Sequence, residues 1–100
     1  MSLLVRTVQK EKQRIDRMLD AYNKQLNDLP RGTVAEKKSG KNVYYYLKYR
    51  DGGKVVSKYL GKDGEKVSQV RSLLEKRRHV EAMIKHLREE QALATRLLEG

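Results

Sequence analysis

The chain has no cysteine, no tryptophan, no phenylalanine and one proline in 100 residues. Without Cys there can be no disulfide framework and no thiolate metal site. Without Phe and Trp the core must be made from Leu and Val with a few Ile, Met and Ala, in a chain that is 36% charged. Long helices packed along a narrow seam need less apolar area per residue than a globule does, so helices are expected to dominate. No apolar run approaches the roughly 18 residues of a membrane span, and no charged-then-apolar leader opens the sequence. These absences predict a soluble, cytoplasmic protein with no membrane partner. Met1-Ser2-Leu3 and Glu99-Gly100 read as vector-derived ends, and the length suits one domain.

Signs of catalysis are also lacking. The few Ser and Thr have no His nearby in sequence, and no glycine-rich loop opens a helix to cradle phosphate. Asp51-Gly52-Gly53-Lys54 joins two apolar-alternating runs and reads as a hairpin turn. His79 and His86 are two helical turns apart, about 10 Å along the axis, too far to chelate one metal within a chain. They fit i,i+4 pairing with Glu75 and Glu90. Glu75-Lys-Arg-Arg-His79 is flanked by acids and reads as a solvated helix face. No catalytic residue, cofactor, metal or small-molecule substrate is therefore expected.

The positive charge is unevenly placed. Residues 29–64 carry nine Lys/Arg against three Asp/Glu, so this third holds +6 of the total +10. A polyanionic partner follows from that concentration, with nucleic acid ahead of a membrane surface.

Hydrophobic periodicity divides the chain into helix (1–28), β-meander (29–62) and helix (63–100). In the first part Val8, Ile15, Tyr22 and Leu29 recur every seven residues with Leu19 and Leu26 between them, a heptad seam interrupted by Lys12. Pro30 disfavours helical geometry at Leu29 and marks the stop. The last part is expected to start near Asp63 as N-cap and to run to about Leu98. Its seam reads Val70, Leu73, Val80, Ile84, Leu87, Ala94 and Leu98, widened by Leu74, Met83 and Leu97. Arg77 and Gln91 interrupt it, as polar seam residues that set register or partner do. Between the helices the period falls to two, with Gly40 and Gly52-Gly53 supplying positive φ for two hairpin turns. The fold class is α+β: two long helices packed as a coiled-coil-like pair, and a three-stranded antiparallel meander between them.

Five of the six tyrosines lie within residues 42–61. If Asp51-Gly52-Gly53 is a three-residue turn, Arg50 faces Lys54, Tyr45 faces Tyr59 and Tyr49 faces Val55. One face then carries Val43, Tyr45, Leu47, Tyr49, Val55 and Tyr59, a substitute for the missing Phe and Trp. The other carries Tyr44, Tyr46, Lys48, Arg50, Lys54, Val56, Lys58 and Leu60. On it Tyr44, Tyr46, Lys48, Arg50, Lys54 and Lys58 are the expected nucleic-acid contacts, through phosphates and either a duplex groove or unpaired bases.

Residues 29–61, with Leu-Pro-x-Gly, the aromatic run ending Tyr-Arg, Gly-Gly-Lys and then Lys-Tyr-Leu-Gly, resemble a segment of small uncharacterised bacterial and archaeal proteins associated with mobile elements. The hairpin is also similar to the strand segment that opens several insertion-sequence transposases, and to the three-stranded arm-binding domain of tyrosine recombinases, whose sheet docks in the DNA major groove. The resemblance implies an accessory DNA-binding role without catalysis, and the same six residues as the groove-facing set.

Two functions are thus in view. One is an accessory nucleic-acid-binding protein that uses the basic meander. The other is a coiled-coil interaction module in which Ile15, Leu19, Tyr22, Leu26, Val80, Ile84 and Leu87 bind a partner helix. Homo-oligomerisation through the helices is expected, because the second helix outruns the first and leaves Leu97 and Leu98 without cover.

Overall fold

The computed structural model describes residues 2–62 and 64–100. Its order is α1 (Leu3–Asn27), β1 (Thr33–Ser39), β2 (Asn42–Asp51), β3 (Lys54–Gly61) and α2 (Gly64–Glu99). Two long helices flank a three-stranded antiparallel sheet, and the helices pack against each other, so the α+β architecture expected from the period change is present. The chain separates into two compact units, one formed by 1–28 with 79–100 and the other by 29–78. α2 contributes its first part to one and its second part to the other.

The helical unit begins at Ser2, whose side-chain oxygen accepts the Val5 amide at 3.1 Å. That bond satisfies one of the free N–H groups every helix start exposes, giving a residue read as a vector remnant a structural role. The helix ends at Asn27, three residues before Pro30, as the proline requires. The proposed Asp63 cap of α2 lies outside the described residues. Ile15 and Leu19 of α1 are buried, as are Val80, Ile84, Leu87 and Ala94 of α2, while Tyr22 and Leu26 are half-buried.

The polar interruptions of the two seams meet. Gln91 donates to an Asp16 carboxylate oxygen at 2.7 Å, and Lys12 donates to the other at 3.3 Å. One carboxylate thus serves two of the three residues that broke the apolar stripes, Lys12 and Gln91, which pins α1 and this part of α2 in a single register. These bonds, Gln91 first and then Lys12, hold the Asp16 pKa below its ordinary value.

In the sheet-bearing unit the strands run in the order β1-β2-β3. Leu47 and Leu60 bury one sheet face against Val67 and Leu74 of α2, with Val34, Tyr45, Tyr49 and Val70 closing the cluster. Arg77, the other polar seam residue, donates from Nη1 to the Leu29 carbonyl at 3.0 Å. It thereby satisfies backbone just beyond the end of α1.

The α2 seam departs from the single stripe read from the sequence. Val67 and Leu74 are buried in the first part, whereas Leu73 is 43% exposed. Within the sheet-bearing unit α2 buries Val67 and Leu74 with Val70 half-buried, and within the helical unit it buries Val80, Ile84, Leu87 and Ala94. The first set meets a sheet and the second meets a helix. A continuous heptad cannot serve both partners.

Candidate nucleic-acid interface

The geometry of the basic face follows from one turn. Gly52 and Gly53 both have positive φ, 56° and 84°, and Asp51 pairs with Lys54. The loop is therefore two residues long with both central φ positive, as in a type I′ turn, whose twist suits the flanking strands. The three-residue turn expected above is wrong by one residue. Charge favours the observed pairing: it sets Asp51 opposite Lys54, where the other register would have placed Arg50 and Lys54 face to face.

A one-residue slip turns every β3 side chain to the other face. Val56 and Leu60 take the places expected for Val55 and Tyr59 beside Leu47. Val55 and Tyr59 are 63% and 53% exposed. Lys58 pairs with Leu47 and Lys54 with Asp51, so these two lysines leave the face that carries Tyr44 and Tyr46. Tyr44, Tyr46, Lys48 and Arg50 stay together on it, since all are on β2 at alternate positions. An irregularity between Tyr45 and Tyr46 sets Tyr46 opposite Tyr59 and Tyr45 opposite Gly61, leaving Leu60 as the extra residue of a bulge.

Three tyrosines are consequently gathered on the face away from the Leu47 core. The Tyr59 ring centroid is 5.3 Å from that of Tyr46 and 6.3 Å from that of Tyr44, tilted by 54° and 44°. Such offset, inclined pairs are the arrangement aromatic quadrupoles favour. Lys62 places its Nζ 5.1 Å from the Tyr44 centroid, a cation–π contact. From β1, Lys37 pairs with Tyr44, Ala35 with Tyr46 and Thr33 with Lys48, so Lys37 joins the same face.

The carboxylates are on the other side. Glu36 pairs with Tyr45 and Asp51 lies two residues beyond Tyr49, both on the Leu47 side. Asp51 is 3.8 Å from Arg31, whose guanidinium lies 5.6 Å from the Tyr49 centroid. Among the described strand residues, the tyrosine face holds Lys37, Lys48 and Arg50 and no acid. The register thus keeps both strand carboxylates off the tyrosine face, while the strand cations divide evenly, with Lys38, Lys54 and Lys58 on the Leu47 side.

Two hollows lie along this face. One of about 400 Å³ is lined by Lys37, Ser39, Tyr44, Tyr46 and Tyr59. A second of about 390 Å³ shares Lys37 and Tyr46 and adds Ala35, Lys48 and Ser57, and Glu36 of the β1 edge reaches its rim although its register turns it to the Leu47 side. The sequence reading missed Tyr59, Lys37 and Lys62. The signal for Tyr59 was available: paired glycines at a hairpin tip favour a two-residue loop, and counting back from it sets Tyr59 against Tyr46.

No group of three or more His, Asp or Glu residues able to hold a metal occurs among the described residues, and no helix there is long and apolar enough to cross a membrane. No curated protein and no solved structure matches the chain. The profile of a family described as a domain of unknown function, DUF6788, matches residues 4–69, which takes in nearly all of α1, the whole sheet and the first residues of α2.

Proposed function

The chain belongs to the DUF6788 family, and we propose that it is a small, non-enzymatic nucleic-acid-binding protein whose ligand lies on the tyrosine face of the sheet. The observation that carries this reading is an aromatic face whose only charged strand side chains are cations: Lys37, Lys48 and Arg50 share it with three clustered tyrosines, while Glu36 and Asp51 are on the opposite face with Lys38, Lys54 and Lys58. Cations supply affinity for phosphate, and aromatic rings supply a surface for bases. The resemblance of residues 29–61 to DNA-binding hairpins agrees with this reading. It favours DNA and an accessory role beside mobile elements.

The test is a pair of variants matched in charge. Lys48→Glu with Arg50→Glu alters the tyrosine face, whereas Lys54→Glu with Lys58→Glu makes the same change in net charge on the other. Fluorescence anisotropy with labelled nucleic acid, titrated across salt, reads both. Phosphate contacts by Lys37, Lys48, Arg50 and Lys62 predict a log–log salt slope of about −3, cut by half or more in the first variant. The second should retain most of the slope. Equal losses in both would mean that diffuse charge, and not this face, holds the ligand.

A second reading has a specific observation behind it. Leu93 and Leu97 of α2 are 45% and 59% exposed, and Leu97 is one of the residues expected to lack cover. Ile15, Leu19, Val80, Ile84 and Leu87, the stripe first assigned to a partner helix, are already buried within the chain. A homo-oligomer or partner helix would therefore use the Leu93–Leu97 stripe instead. A sedimentation mass of one chain at every concentration would remove self-association.

A further inference from the structure

The tyrosine face can be taken one step further, resting on the reading just given. We propose that its ligand is single-stranded nucleic acid, and that an unpaired base occupies the hollow among Lys37, Tyr44, Tyr46 and Tyr59.

Duplex sequence is read through base edges, by side chains that present fixed donors and acceptors such as Arg, Asn and Gln. Here the central positions of β2 and β3 are tyrosines in mutual contact, with ring centroids 5.3 and 6.3 Å apart. Tyrosine rings interact with the flat surface of a base, and in a duplex that surface is covered by the neighbouring pairs. Only an unpaired base can offer it.

Shape points the same way. An element that enters the major groove must project into a channel about 12 Å wide. This face projects no such ridge: between its rings lies a shallow hollow of about 400 Å³, open to solvent. One flat base can lie against such a shape without being enclosed. A second hollow of about 390 Å³ continues from it across Lys37 and Tyr46 to Lys48 and Ser57, with Glu36 at its rim on the β1 edge. Two hollows sharing a lysine and a tyrosine make a track for consecutive nucleotides, with bases against rings and phosphates against cations.

Exposure allows the stacking. Tyr59 is 53% exposed, and Tyr44 and Tyr46 are half-buried. The rings are thus held by one another while retaining free surface. Lys62 over Tyr44 places a cation at the edge of the track, within reach of a phosphate on a base stacked there.

The experiment compares four labelled probes of about 12 nucleotides, a length such a face can track. They are oligo-dT, oligo-U, an abasic strand with the same phosphates, and a duplex. Oligo-dT or oligo-U should bind at least about tenfold more tightly than the duplex and the abasic strand. Whichever of the two is tighter identifies DNA or RNA as the source of the strand. Tyr46→Leu should weaken the single-strand complex about five- to 150-fold, the range for loss of one stacking partner, and Tyr46→Phe should leave it nearly unchanged. Leucine at this position could disturb the sheet, and the circular dichroism of each variant checks that it is folded. Tyr59→Leu, at a more exposed position, repeats the measurement.

Tighter binding to the duplex would overturn this inference and leave the nucleic-acid reading standing. So would equal binding to the abasic strand. Failure to bind any of the four would overturn both.

Discussion

Replacing Gly32 with alanine should destabilise the sheet-bearing unit far more than the same change at Gly40. Gly32 has φ +113°, and a Cβ built there would lie 2.1 Å from the Lys48 carbonyl oxygen and 2.9 Å from the Tyr49 Cβ. An L-residue in this backbone region costs about 1–3 kcal/mol before any contact is considered. The Cβ would also sit more than an ångström inside the roughly 3.3 Å at which carbon and oxygen normally touch. The obstructing atom is backbone in the central strand, so it cannot swing aside as a side chain would. Relief requires β1 to lift from β2 at the Thr33–Lys48 pair, at a further cost of about 1–2 kcal/mol in lost bonding. The sum is about 2–5 kcal/mol. At Gly40, φ is +61° and no atom lies within 4 Å of the built Cβ, leaving about 1–2 kcal/mol for the left-handed conformation alone. Urea denaturation followed by tyrosine near-ultraviolet circular dichroism reads this unit selectively, because five of the six tyrosines lie within it. A difference of about 2 kcal/mol corresponds to roughly 8–16 °C in Tm for a unit of this size. Equal effects at the two glycines would refute the close approach of Gly32 to β2, and with it the account of how β1 is seated.

Two further predictions concern the helical unit. The Asp16 pKa is lowered in the folded chain by Gln91 and then Lys12, so the unfolded chain binds the proton more readily. The stabilisation is present above the ordinary value of 3.8 and is lost as pH falls through the lower, folded value. Asp16→Asn should flatten that acid limb in denaturation curves recorded from neutral to acid pH, and an unchanged limb would show that the Lys12–Asp16–Gln91 bonds are not formed in solution. Ile84, 7% exposed, should tolerate no charge: Ile84→Asp is expected to cost about 4 kcal/mol or more. Leu93→Asp, on the exposed stripe of the same helix, should cost less than about 1 kcal/mol. Helical circular dichroism on heating distinguishes the two, and similar losses would mean that Leu93 is covered, as a self-associated chain would require.

Much of the fold was legible because its signals are local. Pro30 ended α1, the period change from 3.6 to 2 located the sheet, and the glycines placed both turns. The polar seam residues were recognised as specific, but their partners were not. Lys12 and Gln91 are joined through Asp16, which lies off the seam and looked like an ordinary solvated acid. The tyrosine face was half legible. Tyr44, Tyr46, Lys48 and Arg50 share a strand, so alternation alone keeps them together whatever their neighbours do. Lys54 and Lys58 were misplaced because their face depends on the length of a loop, and one residue reverses it.

The sequence by itself determined the element order, the uneven charge and the concentration of aromatics on one hairpin. Those properties depend on residues near one another along the chain, where periodicity and backbone preference act directly. Only the tertiary structure decided that Tyr59 joins Tyr44 and Tyr46, that Leu60 displaces it from the core, and that Val67 and Leu74 of α2 are buried against the sheet while Leu73 is exposed. Each of those outcomes depends on which elements meet and in what register. That is set by the cooperative burial of Leu47, Leu60, Val67 and Leu74 together, which no single strand or helix specifies alone.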